Sequence, residues 1–299
     1  MELTWINKLR IAAITAMGVV VIGMMAWPLA VPHDPLMPVR AWSINPFGTI
    51  TLLALAFWIG FAGYFIAWPH GREIAILAVP FGLIVWAGRS GPMRMLYQAT
   101  PEPVQREAVV HSLRFEPIYW LVIVAAGFIG VLVAQRLRPG AQPVVTFAQF
   151  RANLKRGNYL NLGIGVVVST LLVAFLTGVF AQDLPTSYEI IAAQPAVGQI
   201  IFALLAAFGI AAFIIKKFLD LSYVWPTVAS VFVLPLGDLI YGNTATIEKF
   251  ALTKPATFYP HALFAILPVQ LVALGALGSI IGYWMAIRYD YWRKHESAE

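Results

Sequence analysis

Three charged residues, Arg89, Arg94 and Asp238, close two long apolar stretches of this 299-residue sequence. Charged side chains at membrane depth are energetically costly, and they tend to be paired or functional. Arg94 and Asp238 lie 144 residues apart, and Tyr97 and Tyr241 have the same separation. We therefore expect Arg94 and Asp238 to approach each other, and all five residues to contribute to binding or gating. In the alternative interpretation, the charges lie among external lipid headgroups and the tyrosines in an interfacial belt.

The same two apolar stretches contain proline: Pro80 in "AVPFG", and Pro226 and Pro235 in "VWPTVASVFVLPLGD". Proline removes a backbone hydrogen bond from a helix and bends its axis. Short or proline-interrupted helices at corresponding positions of two repeats indicate the binding site of a transporter. Because membrane helices tolerate proline, a kink without a binding function is the alternative.

Three histidines, His33, His111 and His261, are predicted to lie on the external side together with several carboxylates. Such residues are ligands for zinc or copper. However, no two histidines are three or four residues apart, and the sequence contains no cysteine, which excludes thiolate sites. No histidine lies inside a predicted span, which argues against haem ligation. Nucleotide-binding motifs are also absent, so no cofactor is predicted.

The composition indicates the membrane elements that must position these residues. Of the residues, 60% are hydrophobic and 11% are charged, whereas soluble domains carry about 25% charged residues. A helix needs about 20 apolar residues to cross a bilayer, and long apolar runs in lipid are helical. The predicted fold is an all-α integral membrane protein with about eight transmembrane helices. The predicted spans are 11–31, 47–67, 74–88, 118–135, 160–181, 195–215, 221–237 and 262–287.

The basic residues predict how these spans are oriented. With an even number of spans, the side that holds both termini has 13 Lys and Arg residues, against 7 on the other side. Because cytoplasmic loops are enriched in basic residues, both termini are predicted to be cytoplasmic, in a bacterial-type inner membrane. This topology explains the positive charge, so no nucleic-acid partner is predicted.

Several patterns recur in order along the chain. "GVVV" occurs at 18–21 and 165–168, and Phe-x-Pro occurs at 115–117 and 258–260, with offsets of 143 to 150 residues across the set. We therefore predict two tandem four-helix repeats in parallel orientation, 1–138 and 159–299, joined by a cytoplasmic linker at 139–158. In each Phe-x-Pro, the proline is expected to begin a helix.

Three functions are compatible with this organisation. The first is a permease for a small, anionic solute whose site lies between the two halves. The second is a non-catalytic subunit that anchors or organises a larger membrane complex, with a partner protein or a second copy beside it in the bilayer. The third is a membrane enzyme with a metal site in the external loops. The predicted interior has hydroxyl and amide groups but no acid, so a relay of buried acids is not expected.

Overall fold

The computed structural model describes residues 4–100, 102–139, 159–181, 195–253 and 261–296. These residues are mainly helical, and none of them forms a strand. Eight helices in this part of the chain are long and apolar enough to cross a membrane. The predicted all-α membrane fold with eight spans is therefore confirmed. Nearly all of the predicted linker, 139–158, lies outside the described residues.

The first half contains seven helices and one π-helical segment. Helix α1 (Trp5–Gly18) continues directly into the π-helical segment (Val19–Met25). It is followed by α2 (Pro46–Ile66), α3 (Gly71–Ile74), α4 (Ala78–Arg89), α5 (Met93–Gln98), α6 (Pro103–Leu113) and α7 (Glu116–Leu137).

The second half contains five described helices. They are α8 (Tyr159–Phe180), α9 (Val197–Leu219), α10 (Val224–Tyr241), α11 (Thr244–Thr253) and α12 (Pro268–Glu296). The predicted start of the last span, residue 262, is wrong because residues Ala262–Ala265 form a 3-10 turn. The helix begins at Pro268 instead. At the first position of a helix the N–H that proline lacks would have no helical acceptor, so no hydrogen bond is lost. Pro117 lies in the first turn of α7, as predicted, whereas Phe258 and Pro260 lie outside the described residues.

The prolines act differently in the two short spans. Residues Ala75–Leu77 form a 3-10 turn between α3 and α4, so this span is interrupted. The cause is Pro80, whose ring would clash with the carbonyl of Ile76 in a continuous α-helix. Pro226 lies in the first turn of α10. The N–H groups of a first turn have no acceptor within the helix, so a proline there removes no helical hydrogen bond. Pro235 is inside α10.

Small residues allow the closest helix contacts within each half. Helix α2 packs along α7, and α9 packs along α12. A Cβ atom at Gly130 would lie 2.1 Å from the Phe57 carbonyl oxygen, and one at Gly278 would lie 2.8 Å from the Leu205 carbonyl oxygen. Phe57 and Leu205 are 148 residues apart in the sequence, and so are Gly130 and Gly278. Glycine is therefore required at the same relative position in each helix pair.

Helix α12 connects the two halves. It packs against α9 in its own half, and also against α4 and α7 of the first half. Helix α10 contacts α7 less extensively than α12 contacts α4. The interface between the halves is thus formed by α4, α7, α10 and α12, and at one end by α6 against α10 and α11.

Candidate functional site

Asp238, near the end of α10, is 7% exposed and binds two basic side chains of the first half. Its Oδ2 lies 2.8 Å from His111 Nδ1, in α6, and 3.5 Å from Nη1 of Arg114. Asp238 thus has partners in α6 and just after it, and the predicted approach of Arg94, in α5, to Asp238 stays a prediction. Sequence analysis did not predict His111 and Arg114 as partners, because it compared positions along the chain, whereas α6 folds back over the end of α10.

A second contact joins the halves beside this carboxylate. Thr244, at the start of α11, donates a hydrogen bond of 2.7 Å to Glu107 Oε2 of α6. The other Glu107 oxygen lies 3.5 Å from His111 Nε2. We call Glu107, His111, Arg114, Asp238 and Thr244 the outer cluster. Because α6 and α11 pack together here, the outer cluster closes one end of the interface between the halves.

The outer cluster is not fully hydrogen-bonded. Asp238 Oδ1 and Arg114 Nε are buried and have no hydrogen-bond partner among the residues that the structure describes. Gly242 lies directly against Oδ1, since a Cβ atom there would be 2.1 Å from this oxygen. Buried polar atoms are normally paired, and an incomplete set of partners lowers the stability of the arrangement. The outer cluster is therefore a contact that can separate more readily than a saturated network.

Glu116 is a second buried acid, and its partners lie in the loop before α2. Its Oε1 accepts a hydrogen bond of 2.8 Å from Arg40 Nε, and Oε2 accepts one of 3.4 Å from the Ala41 N–H. Glu116 and Asp238 are therefore two buried acids that lie just outside the predicted spans 118–135 and 221–237. Both terminate apolar runs, and hydropathy alone does not show that other segments fold over them.

The two tyrosines at equivalent positions hold the same 3-10 turn. The buried Tyr97 hydroxyl donates a hydrogen bond of 3.4 Å to the Phe264 carbonyl. The Tyr241 ring stacks on His261, with 4.7 Å between centroids, and His261 Nδ1 accepts the Leu263 N–H at 3.3 Å. Burial raises the pKa of Tyr97 and lowers the pKa of His261. These contacts position the turn before α12.

The remaining candidates from the sequence are dispersed. The Arg89 guanidinium lies 4.8 Å from the Trp27 ring centroid, at the end of α4. His33 is exposed, whereas His111 and His261 have the separate partners described above. In the described part of the chain, no three His, Asp or Glu side chains are arranged to hold a metal ion. The geometry therefore gives no support to the predicted metal site.

A cavity of about 160 Å³ lies between α4, α7, α10 and α12. It is at the level of the membrane spans, and Pro80 forms part of its wall, next to the first turn of α10 that contains Pro226. Among the described residues that line it, Tyr223 and Thr227 have polar side chains. The Thr227 hydroxyl donates a hydrogen bond of 2.9 Å to the Tyr223 carbonyl. The apolar wall includes Ile76, Pro80, Ala125, Phe128, Ala276 and Ile280.

The cavity opens sideways. Its α4 and α12 walls are buried, including Pro80, Ala276 and Ile280, whereas Ala125 on α7 is exposed. Tyr223 lies just before α10, at the end of the bundle opposite Asp238. Burial raises the pKa of Tyr223, and the nearby charges of Arg72 and Glu73 act on it in opposite directions. The opening therefore lies between α7 and α10, with its polar end at Tyr223.

Sequence analysis identified Pro80 but missed the rest of the cavity wall. Ala125, Phe128 and Ala276 are apolar residues within apolar spans, so nothing distinguishes them from residues that face lipid. Only the packing of four helices shows that they face one another. Comparisons of this chain with protein-family models, curated proteins and solved structures find no match.

Proposed function

We propose that the protein is a permease whose solute site is the cavity between α4, α7, α10 and α12. The supporting observation is the position of this cavity at the interface of the halves, beside Pro80 and the first turn of α10. Transporters built from repeats place their sites at such interfaces, where helices are interrupted. In this proposal the two halves are tandem repeats, and the matched glycine contacts, 148 residues apart, support their equivalence.

The walls of the cavity favour a solute with an apolar body over the small anion that the sequence suggested. Neither Arg89 nor Arg94 contributes to the wall. A wholly apolar molecule partitions into a bilayer unaided, since its transfer from water is favourable. A solute that needs a permease must therefore also carry a polar group, and Tyr223 is the residue placed to receive it.

In this mechanism the outer cluster acts as the outer gate. When the halves rock against each other about the cavity, α6 must separate from α10 and α11. The contact between His111 and Asp238 then breaks, and the cavity becomes accessible from the other side. Alternating access in duplicated transporters is largely such a motion of one half against the other.

Cysteine accessibility tests this mechanism without knowledge of the solute. The chain has no native cysteine, so Thr227→Cys in the cavity wall would carry the single thiol. We expect a charged, membrane-impermeant thiol reagent to label it in both right-side-out and inverted vesicles. Adding Asp238→Ala should increase labelling from the outer side, because the gate then opens more often.

Ala207→Cys, at a buried position of α9 away from the cavity, is the matched control and should remain unlabelled. Thr227→Cys could instead be labelled from one side only, both when Asp238 is intact and in the Asp238→Ala variant. This result would contradict the permease and would favour a non-transporting subunit of a complex.

A further inference from the structure

We propose that the cavity admits, through the gap between α7 and α10, a hydrocarbon chain of an anionic bilayer lipid, with the headgroup beside Tyr223 and Arg72. This inference rests on the proposed function, because it names the class of molecule that occupies the same cavity. Unlike the permease proposal, this inference also states that the molecule enters the cavity from the bilayer and not from water.

The direction of the opening supports entry from the bilayer. Ala125 is exposed on α7, at the edge of the gap, whereas Ala276 and Ile280 are buried at the back of the cavity. Ala125 lies within a helix that is long and apolar enough to cross the membrane. The molecules that surround such a position are lipid chains, so the gap connects the cavity to the hydrocarbon region.

The size of the cavity limits what can enter. A volume of about 160 Å³ is close to the ~150 Å³ of a protein cavity that holds one benzene molecule. It therefore has room for a segment of one chain and not for a whole lipid. Because a lipid chain is already in an apolar solvent, the gain on entry comes from contacts with the wall and not from the hydrophobic effect.

The headgroup must therefore determine which lipid binds. In the described part of the chain, no group hydrogen-bonds to the Tyr223 hydroxyl, and Arg72 forms no ion pair there. Tyr223 packs against the residues Ala75–Leu77, which directly follow the short helix α3 that contains Arg72. The charge of Arg72 also acts on Tyr223. A phosphate oxygen would accept a hydrogen bond from the hydroxyl and would be attracted by the guanidinium. An anionic lipid supplies both this headgroup and the chain.

Photo-crosslinking tests the chain. The protein would be reconstituted with phosphatidylglycerol that carries a diazirine near the end of one acyl chain, illuminated, and digested for mass spectrometry. We expect adducts on the residues of α7 and α12 that line the cavity: Leu121, Val124, Ala125, Phe128, Ala276 and Ile280. These adducts should be lost in Ala276→Phe, which fills the cavity, and in Ala125→Phe, which narrows the gap.

The control is Val122→Phe, because Val122 is an exposed residue of α7 that does not line the cavity. Adducts at the cavity wall should persist in this variant. Ala125→Phe keeps the test valid if Ala276→Phe does not fold, since Ala125 is at the surface. Adducts that are equally abundant in wild type and in both cavity variants would overturn the proposal.

Arg72→Gln tests the headgroup. Each basic residue near an anionic membrane surface contributes about 1 kcal/mol, so the preference for phosphatidylglycerol over phosphatidylcholine should fall by about fivefold. If Arg72→Gln leaves the preference for phosphatidylglycerol over phosphatidylcholine unchanged, the proposal that the headgroup is anionic is overturned. If adducts on the cavity wall are absent while Thr227→Cys is labelled from both sides, the proposal of a bound lipid chain is wrong, but the proposal of a permease is still supported. If adducts form but labelling is one-sided, the lipid site stands without transport.

Discussion

Asp238 links the two halves by charge, through His111 and Arg114 of the first half. It is buried, but His111 and Arg114 keep side-chain exposures of 43% and 41%, so water screens both contacts. Its contribution to stability is therefore smaller than that of a fully buried pair. Asp238→Asn keeps the shape of the side chain and removes its charge. We expect the free energy of unfolding to fall by about 1–3 kcal/mol, as for hydrogen bonds to charged groups.

Thermal unfolding in detergent would measure this loss. Glu248→Gln is the matched control, because Glu248 is an exposed acid on the adjacent helix α11. Equal effects of the two substitutions would mean that Asp238 does not hold the halves together. His111→Gln combined with Asp238→Asn should cost less than the sum of the single changes, since the residues share one contact.

His261 gives stability a dependence on pH. Burial lowers the pKa of His261 below its ordinary value near 6.5. The unfolded chain then binds a proton more readily than the folded protein, so stability rises with pH in this range. We expect stability to fall as the pH is lowered from about 7 to about 5, and His261→Gln to flatten that part of the profile. A wild-type profile with the same slope as the variant would exclude His261 as the cause.

At the scale of elements, the sequence predicted which segments are helical but not their irregular turns. In the π-helical segment, the Ala26 N–H bonds to the Val21 carbonyl, which leaves the Ile22 carbonyl without its helical partner. The Trp86 indole donates to that carbonyl at 2.7 Å. The apolar run from Ile11 to Val31 shows no sign of this irregularity, because it depends on Trp86, which is distant in the chain.

The close contacts between helix pairs lead to a prediction in each half. Gly130→Ala would place a Cβ 2.1 Å from the Phe57 carbonyl oxygen, so α2 and α7 must move apart. We expect a loss of about 1–3 kcal/mol, as for other overpacked cores. Gly278→Ala meets the Leu205 oxygen at 2.8 Å and should have a smaller effect.

Gly163→Ala in α8 is the control, because nothing lies within 4 Å of the added Cβ. Since alanine favours helix by about 1 kcal/mol over glycine, this variant should be unchanged or more stable. The three variants would be compared by denaturation of the purified protein. A loss in Gly163→Ala as large as in Gly130→Ala would show that helix contact is not the reason.

At the scale of the whole molecule, the orientation in the membrane remains a prediction from the basic residues. Reporter fusions at residues 105 and 245 should be active on the external side, and a fusion at residue 145 should be active in the cytoplasm. This follows from the 13-to-7 distribution of Lys and Arg. An external signal at residue 145 would contradict cytoplasmic termini.

Sequence analysis predicted the eight spans and the interrupted span at Pro80, since both depend on local composition. It missed the pairing of Asp238 with His111, because that contact depends on how α6 folds back. The matched pairs Phe57–Gly130 and Leu205–Gly278 share an offset within the predicted 143 to 150 residues. The duplication nevertheless stays a prediction, which superposition of the two halves in an experimental structure would test.

The central position of α12 has a consequence for the order of assembly. Helix α12 follows the other seven spans in the chain, yet it is the span most buried by its neighbours. During synthesis, α4, α7 and α10 therefore enter the bilayer before the surface that joins them exists. Lipid must occupy that surface until α12 inserts and displaces it. A nascent chain held before residue 268 would contain both sets of helices without the α12 contacts that form most of their shared interface.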